Sequence, residues 1–168
     1  KLNTSVYYSD VSDMITSKGV KPNVTFENLG RATFYGFEAG AEAVVNQYFS
    51  AGAVFNYMRW NNCTNDNKIA QLPEITSTLY GVITPLEGLS IIPQLNISSG
   101  FYWNTSATDV PYRKSPNFAT ADIKAVYDIN KNFSVEAGVK NVFDQEYAYS
   151  AYYPEPGRSY FVGVSANF

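Results

Sequence analysis

The chain has 168 residues, enough for one domain with a sizeable core, and a net charge of −3, so no basic footprint points to nucleic acid. It contains no histidine, which removes Ser-His-Asp and Cys-His catalysis and the commonest metal ligand together. Aromatic residues reach 16%, with 14 Tyr and 11 Phe, yet no run approaches the roughly eighteen apolar residues of a membrane helix.

In chain order, eight segments read as strands bounded by turn or loop chemistry. The first spans residues 1–15 and is followed by a polar loop near 16–25. The second, 26–45, sets Thr33, Tyr35, Phe37, Ala39, Ala41, Ala43 and Val45 on one face against Gly36, Glu38, Gly40 and Glu42. A short turn, Asn46-Gln47, leads to the third, 48–60, where Phe49, Ala51, Ala53, Phe55 and Tyr57 oppose Ser50, Gly52 and Asn56. A second long loop, 61–71, holds the single cysteine, Cys63. The fourth segment, 72–84, turns through Pro85-Leu-Glu-Gly88 into the fifth, 89–103. There Leu89, Ile91, Leu95, Ile97 and Phe101 oppose Ser90, Gln94, Asn96 and Ser98. A loop at 104–116 precedes the sixth, 117–129, with Ala121, Ile123, Ala125 and Tyr127 against Asp122, Lys124 and Asp128. The turn Asn130-Lys-Asn132 opens the seventh, 133–142, with Phe133, Val135, Ala137 and Val139 against Ser134, Glu136 and Lys140. A loop at 143–156 leads to the eighth, 157–168, which alternates to a final Phe168.

Connections therefore alternate between short turns and long polar, aromatic loops. Most segments meet or exceed the 9–11 or so residues that a tilted strand needs to cross a bilayer, against five or six for a typical globular strand. The charged residues Glu38, Glu42, Asp122, Lys124, Glu136 and Lys140 all share the non-apolar face. The predicted fold is all-β: antiparallel transmembrane β-barrel strands with lipid on the apolar face and a polar lumen. Tyr7, Tyr8, Tyr57, Trp60, residues 101–103, Tyr127, Phe133 and Tyr160 lie near strand ends and suit interfacial girdles. Two other readings share the alternation. One is a stand-alone eight-stranded outer-membrane barrel acting as anchor or adhesin. The other is a soluble secreted β-sandwich that binds carbohydrate through its loops.

No motif argues for an enzyme, a metal or a cofactor. Asn65-Asp66-Asn67 lacks the spaced ligands and closing Glu of a calcium loop. Glu38 and Glu42 could imitate an acid/base pair, but lumen polarity explains them better, with Glu38, Glu42 and Glu136 pairing to Lys124 and Lys140 across the lumen.

Two stretches carry a family resemblance. Residues 138–147 (Gly-Val-Lys-Asn-Val-Phe-Asp-Gln-Glu-Tyr), followed by Pro154-Glu-Pro-Gly-Arg-Ser-Tyr-Phe161 and the terminal Phe168, resemble the carboxyl end of TonB-dependent outer-membrane receptors. Residues 27–38, Glu-Asn-Leu-Gly-Arg-Ala-Thr-Phe-Tyr-Gly-Phe-Glu, are similar to an earlier strand of that family. The resemblance implies a Gram-negative outer-membrane location and a barrel of about 22 strands around a plugged lumen. Residues 1–168 would be its carboxyl-terminal portion, without the plug domain. It implies TonB-coupled import of a scarce nutrient such as a ferric siderophore. Partners would be the remaining barrel and plug, TonB, membrane lipid and lipopolysaccharide, and the barrel-assembly machinery, which would read Phe168. The long loops would then supply ligand contacts from Arg59, Trp60, Trp103, Tyr112, Arg113, Lys114, Tyr149, Tyr152 and Tyr153. Arg158, after Gly157, is expected to make a barrel-wall ion pair.

Overall fold

The structure is a computed structural model that describes residues 1–18, 25–28, 30–63, 68–104 and 112–167. Its strands in chain order are β1 (Leu2–Ser12), β2 (Ile15–Lys18), β3 (Thr25–Asn28), β4 (Arg31–Asn46), β5 (Phe49–Asn62), β6 (Ile75–Leu86), β7 (Leu89–Ser98), β8 (Tyr102–Asn104), β9 (Tyr112–Lys114), β10 (Phe118–Asp128), β11 (Phe133–Lys140) and β12 (Ser159–Ala166). Eight of them form one antiparallel meander in the order β1-β4-β5-β6-β7-β10-β11-β12. The other four make two small hairpins, β2–β3 and β8–β9, inside the long loops.

These eight wall strands match the eight segments read from the sequence, with three breaks added, the first after Ser12, since Ile15 already pairs with Asn28 in the β2–β3 hairpin. The segment 26–45 divides at Gly30, whose φ of 87° turns the chain out of the β region, so residues 25–28 pair with β2 instead. The segment 89–103 ends at Ser98, because Gly100 lies tight against the Ser115 carbonyl, where no Cβ fits. The short turns are closed by asparagine side chains. Asn46 Oδ1 accepts the Tyr48 N–H at 2.8 Å, and Asn130 Oδ1 accepts those of Asn132 and Phe133 at 2.9 and 3.0 Å. Pro85 falls inside β6, at the irregularity between Ile83 and Leu86, where a missing N–H removes nothing from a regular ladder.

Register fixes the two faces. Phe37 pairs with Val6 and Tyr57, Ala53 with Leu79, Leu79 with Leu95, and Ile123 with Val139. One face therefore carries a mainly apolar sheet from Leu2, Val6 and Tyr8 to Tyr160, Val162 and Val164. Among the described residues nothing covers it: Val6 is 85% exposed and Val162 81%. A surface this wide and apolar requires an apolar solvent. Tyr8, Tyr35, Tyr57 and Tyr160 mark its loop end, and Phe49, Tyr127 and Phe133 its turn end. Tyr57 and Phe49 are eight residues apart, about 27 Å of strand at ~3.4 Å per residue. Tilted by ~40°, that path rises about 21 Å, close to an apolar band about 25 Å tall. Tyr7 and Trp60 point the other way, so they do not belong to the girdle.

The sizeable core expected from chain length is absent. Among the described residues only Ala32, Phe101, Phe118 and Ala151 are buried and apolar, because one sheet has no second layer to pack against. For the same reason the structure is not a sandwich. β1 and β12 pair with one neighbour each and not with each other, so the sheet is open rather than a closed eight-stranded barrel. No helix is long and apolar enough to cross a membrane, which says nothing of crossing by strands.

The inner face is polar and kept low. Tyr7 lies over Gly36, Tyr80 over Gly52 and Phe161 over Gly138, each directly across a strand pair. A ring laid flat on a glycine fills the wall without projecting far from it. Lys124 meets Glu136 at 3.6 Å on the adjacent strand, whereas Lys140 sits 5.9 Å above the Phe161 ring. The expected pairing across the lumen is thus a contact between neighbours, since carboxylate and ammonium reach each other diagonally within one sheet.

Candidate functional site

The long loops gather at one end of the sheet, and two devices order them. The first joins the two halves of the terminal motif. Asn141 is 3% exposed, adopts φ 51°, and uses its side chain twice on one residue: Oδ1 accepts the Gln145 N–H and Nδ2 donates to the Gln145 carbonyl, both at 2.9 Å. Its own N–H donates to Asp122 Oδ1 at 2.8 Å. Asp144, at φ 55°, accepts the Arg158 N–H at 2.6 Å, and Arg158 Nε donates to the Val142 carbonyl at 2.8 Å. Gly157 is required because a Cβ there would stand 2.5 Å from Asp144 Oδ1. Arg158 therefore ties β12 to the loop through a backbone carbonyl, and its expected ion pair gives way to this hydrogen bond.

We predict that Asn141→Ala leaves the Gln145 amide unpaired and costs about 1–3 kcal/mol of local stability. Hydrogen exchange of residues 141–158 in the full-length protein measures it, and unchanged protection would refute it.

The second device is aromatic. Phe118, the first residue of β10, faces inward and packs against Tyr147 and Tyr149 with ring centroids 4.7 and 5.6 Å away. Tyr149 stacks on Phe101 at 6.3 Å and 12°, and Phe101 meets Trp103 edge-on at 6.4 Å. Such pairs add roughly 0.5–1.5 kcal/mol each beyond burial. Burial, together with the neighbouring Tyr149, Glu155 and Asp122, raises the Tyr147 phenol above its usual value, and burial and Glu155 raise Tyr149. Both therefore stay neutral at physiological pH. Beside the cluster lies a cavity of about 220 Å³ lined by Trp103, Ser115, Pro116, Phe118, Tyr147 and Pro154. The β8–β9 hairpin borders it, and its base is closed by the Phe101 N–H donating to Ser115 Oγ at 2.9 Å and the Ser115 N–H donating to the Phe101 carbonyl at 2.8 Å.

The family model described as TonB dependent receptor-like, beta-barrel matches residues 1–142. The chain belongs to this family. A probable TonB-dependent siderophore receptor, PiuA of Acinetobacter baumannii, is 24% identical over 165 residues, covering 86% of this chain and 21% of the relative. Two solved structures share the fold across 99% of the chain. The copper transporter OprC has a TM-score of 0.82 at 22% identity, with 29% of its chain covered. The ferric-catecholate import receptor Fiu of E. coli K12 in its closed form has 0.74 at 17%, with 25% covered. The chain thus spans about a fifth of the curated relative's length. TonB-dependent receptors are transporters of the Gram-negative outer membrane and not enzymes.

Within this receptor wall the sequence-derived candidates separate. Arg59 and Trp60 are strand residues of β5 rather than loop residues, and they face opposite ways. Arg59 lies on the outward face, paired across the strands with Tyr35, and approaches Glu74 at 4.0 Å. Trp60 points inward, half-buried. Trp103 and Tyr149 belong to the aromatic cluster. Tyr112 is half-buried in β9, with its phenol raised by burial, while Arg113 and Lys114 are exposed beside it. Tyr152 and Tyr153 are 77% and 69% exposed at the loop tip. Phe168 and the Asn65–Asn67 stretch lie outside the described residues, and Cys63 is exposed and free. Phe118, Asp122 and Asn141 organise this end without having been singled out as site residues. Phe118 gave a signal, since it is a large aromatic at an inward position.

Proposed function

We propose that this chain is the carboxyl-terminal wall segment of a larger receptor barrel that imports a ferric siderophore by TonB-coupled uptake. The observation that carries the proposal is the open eight-stranded sheet, apolar outside, polar inside and crowned by ordered aromatic loops. The unpaired edges of β1 and β12 call for further strands, which a barrel of about 22 supplies. A plug would occupy the polar lumen, and TonB would act through it. Lipid would cover the apolar face, lipopolysaccharide would meet the outward Arg59, and the barrel-assembly machinery would read Phe168. PiuA and Fiu, which this chain resembles, carry siderophore and ferric-catecholate names.

Arg113 and Lys114 supply exposed cations from opposite faces of the β8–β9 hairpin for an anionic chelate, and Tyr152 and Tyr153 supply exposed rings. Trp60, Trp103, Tyr112 and Tyr149 shape the surface from which these project. Removing both cations (Arg113→Ala with Lys114→Ala) is expected to weaken ferric-siderophore binding by the full-length receptor about tenfold, at ~0.5–1 kcal/mol per exposed cation–ring contact. Titration with a panel of iron chelates tests this. A full-length protein that binds none of them, or a double variant of unchanged affinity, overturns the assignment.

A further inference from the structure

A hydrogen-bonded chain crosses the inner wall and ends at the 141–158 loop. Thr78 Oγ1 on β6 donates to Asn96 Oδ1 at 3.1 Å, and Gln94 Nε2 donates to the same oxygen at 2.8 Å. Asn96 Nδ2 on β7 then donates to Asp122 Oδ2 on β10 at 3.3 Å. The other Asp122 oxygen accepts the Asn141 N–H, and Asn141 holds both backbone groups of Gln145. Every link is part-buried, so water does not readily substitute for a lost partner. The polarity is directional: amides and a hydroxyl donate toward one carboxylate, which is the sole member able to accept from two sides as an anion.

We propose that Asp122 is a positioning residue that makes the order of the 141–158 loop depend on the hydrogen bonds of the inner wall. Among the described residues the Asn96 side chain hydrogen-bonds to Thr78, Gln94 and Asp122 and not to that loop, yet its amide helps fix the carboxylate that fixes Asn141. From Asn141 the constraint passes through Gln145 to Tyr147 and Tyr149, two residues of the aromatic cluster. A lumen occupant that competes for Asn96 or Asp122 would loosen the loop, and an ordered loop would hold the wall in its present arrangement. Coupling of this kind needs a contiguous two-state path with evidence of energetic linkage, not proximity alone. Only where the loop points rests on the receptor reading; the linkage itself does not.

Polarity exchange tests it. In the full-length protein, Asn96→Asp alone sets two carboxylates face to face, and Asp122→Asn alone sets two amide donors face to face if its oxygen keeps the Asn141 N–H. Together, the new carboxylate at 96 still accepts from Thr78 and Gln94 and now also from the amide at 122, whose oxygen still accepts from Asn141. Each single variant is expected to speed hydrogen exchange of residues 141–149 by about tenfold or more, the scale of one charge-assisted hydrogen bond. The double variant is expected to return it to near the parent rate. Exchange in β4 and β5 reports whether the variants fold. Folded single variants with parental loop exchange, or a double variant no better than the singles, would overturn the proposal. Neither readout involves a siderophore, so failure of the uptake proposal would leave this result standing.

Discussion

Gly36→Ala is expected to block folding of most of the full-length barrel, although it adds one methyl group. A Cβ at Gly36 would fall within 3 Å of the Tyr57 carbonyl oxygen and 2.8 Å from the Tyr7 hydroxyl, with Met58 Cα at 3.0 Å. Tyr7 can swing aside, but the Tyr57 carbonyl and Met58 Cα are backbone of β5, paired to β4 at this point. Relief requires separating the two strands that share the most extensive register in the sheet. Overpacking costs about 1–3 kcal/mol where side chains can yield, and a backbone obstacle places this variant at or beyond the upper figure. Gly40→Ala is the control: the nearest atom to its Cβ is the Ala53 carbonyl oxygen at 4.0 Å, so no strand has to move. The heat-modifiable shift on cold SDS gels measures the folded fraction of each, and equal yields would refute the steric account.

How far the sequence shows this depends on what kind of residue carries the information. The faces were legible because lipid imposes one rule on every second residue of every strand. That rule survives from Val6 to Val164. The ends of strands were less legible. Thr33, Phe34 and Tyr35 favour β structure as much as Thr25 and Phe26 do, so only Gly30 itself marks the break, and a lone glycine in a strand run is a weak signal. Arg59 and Trp60 look like a matched pair of ligand groups because they are adjacent, yet adjacency in a strand guarantees opposite faces. The core expectation failed for a different reason: chain length limits a core only when layers stack, and a barrel wall has one. Asn141 was hidden because its role depends on Gln145 backbone groups and on Asp122, nineteen residues earlier. The Gly157-Arg158 pair was visible as a motif, but its purpose required seeing Asp144 occupy the space a Cβ would fill.

Leu79→Arg tests the outward assignment and is expected to cost heavily. Leu79 lies midway along β6, paired to Ala53 and Leu95 on the apolar face. An arginine near the midplane of a lipid-facing wall costs about 2–4 kcal/mol, since neither bilayer end is within easy reach. Thr78→Arg, one residue earlier, points into the lumen. It loses the hydroxyl bond to Asn96, worth about 1 kcal/mol, but keeps its charge among polar groups. Denaturant titration of the full-length protein in lipid vesicles should therefore rank Leu79→Arg well below Thr78→Arg. The opposite ranking would mean that the apolar face is covered by protein and the charged face by solvent or lipid headgroups. Glu38, Asp122, Lys124 and Glu136 would then lie outside, and the rings over Gly36, Gly52 and Gly138 would serve no lumen. The comparison thus decides, at neighbouring residues of one strand, which side of the sheet a cargo could pass.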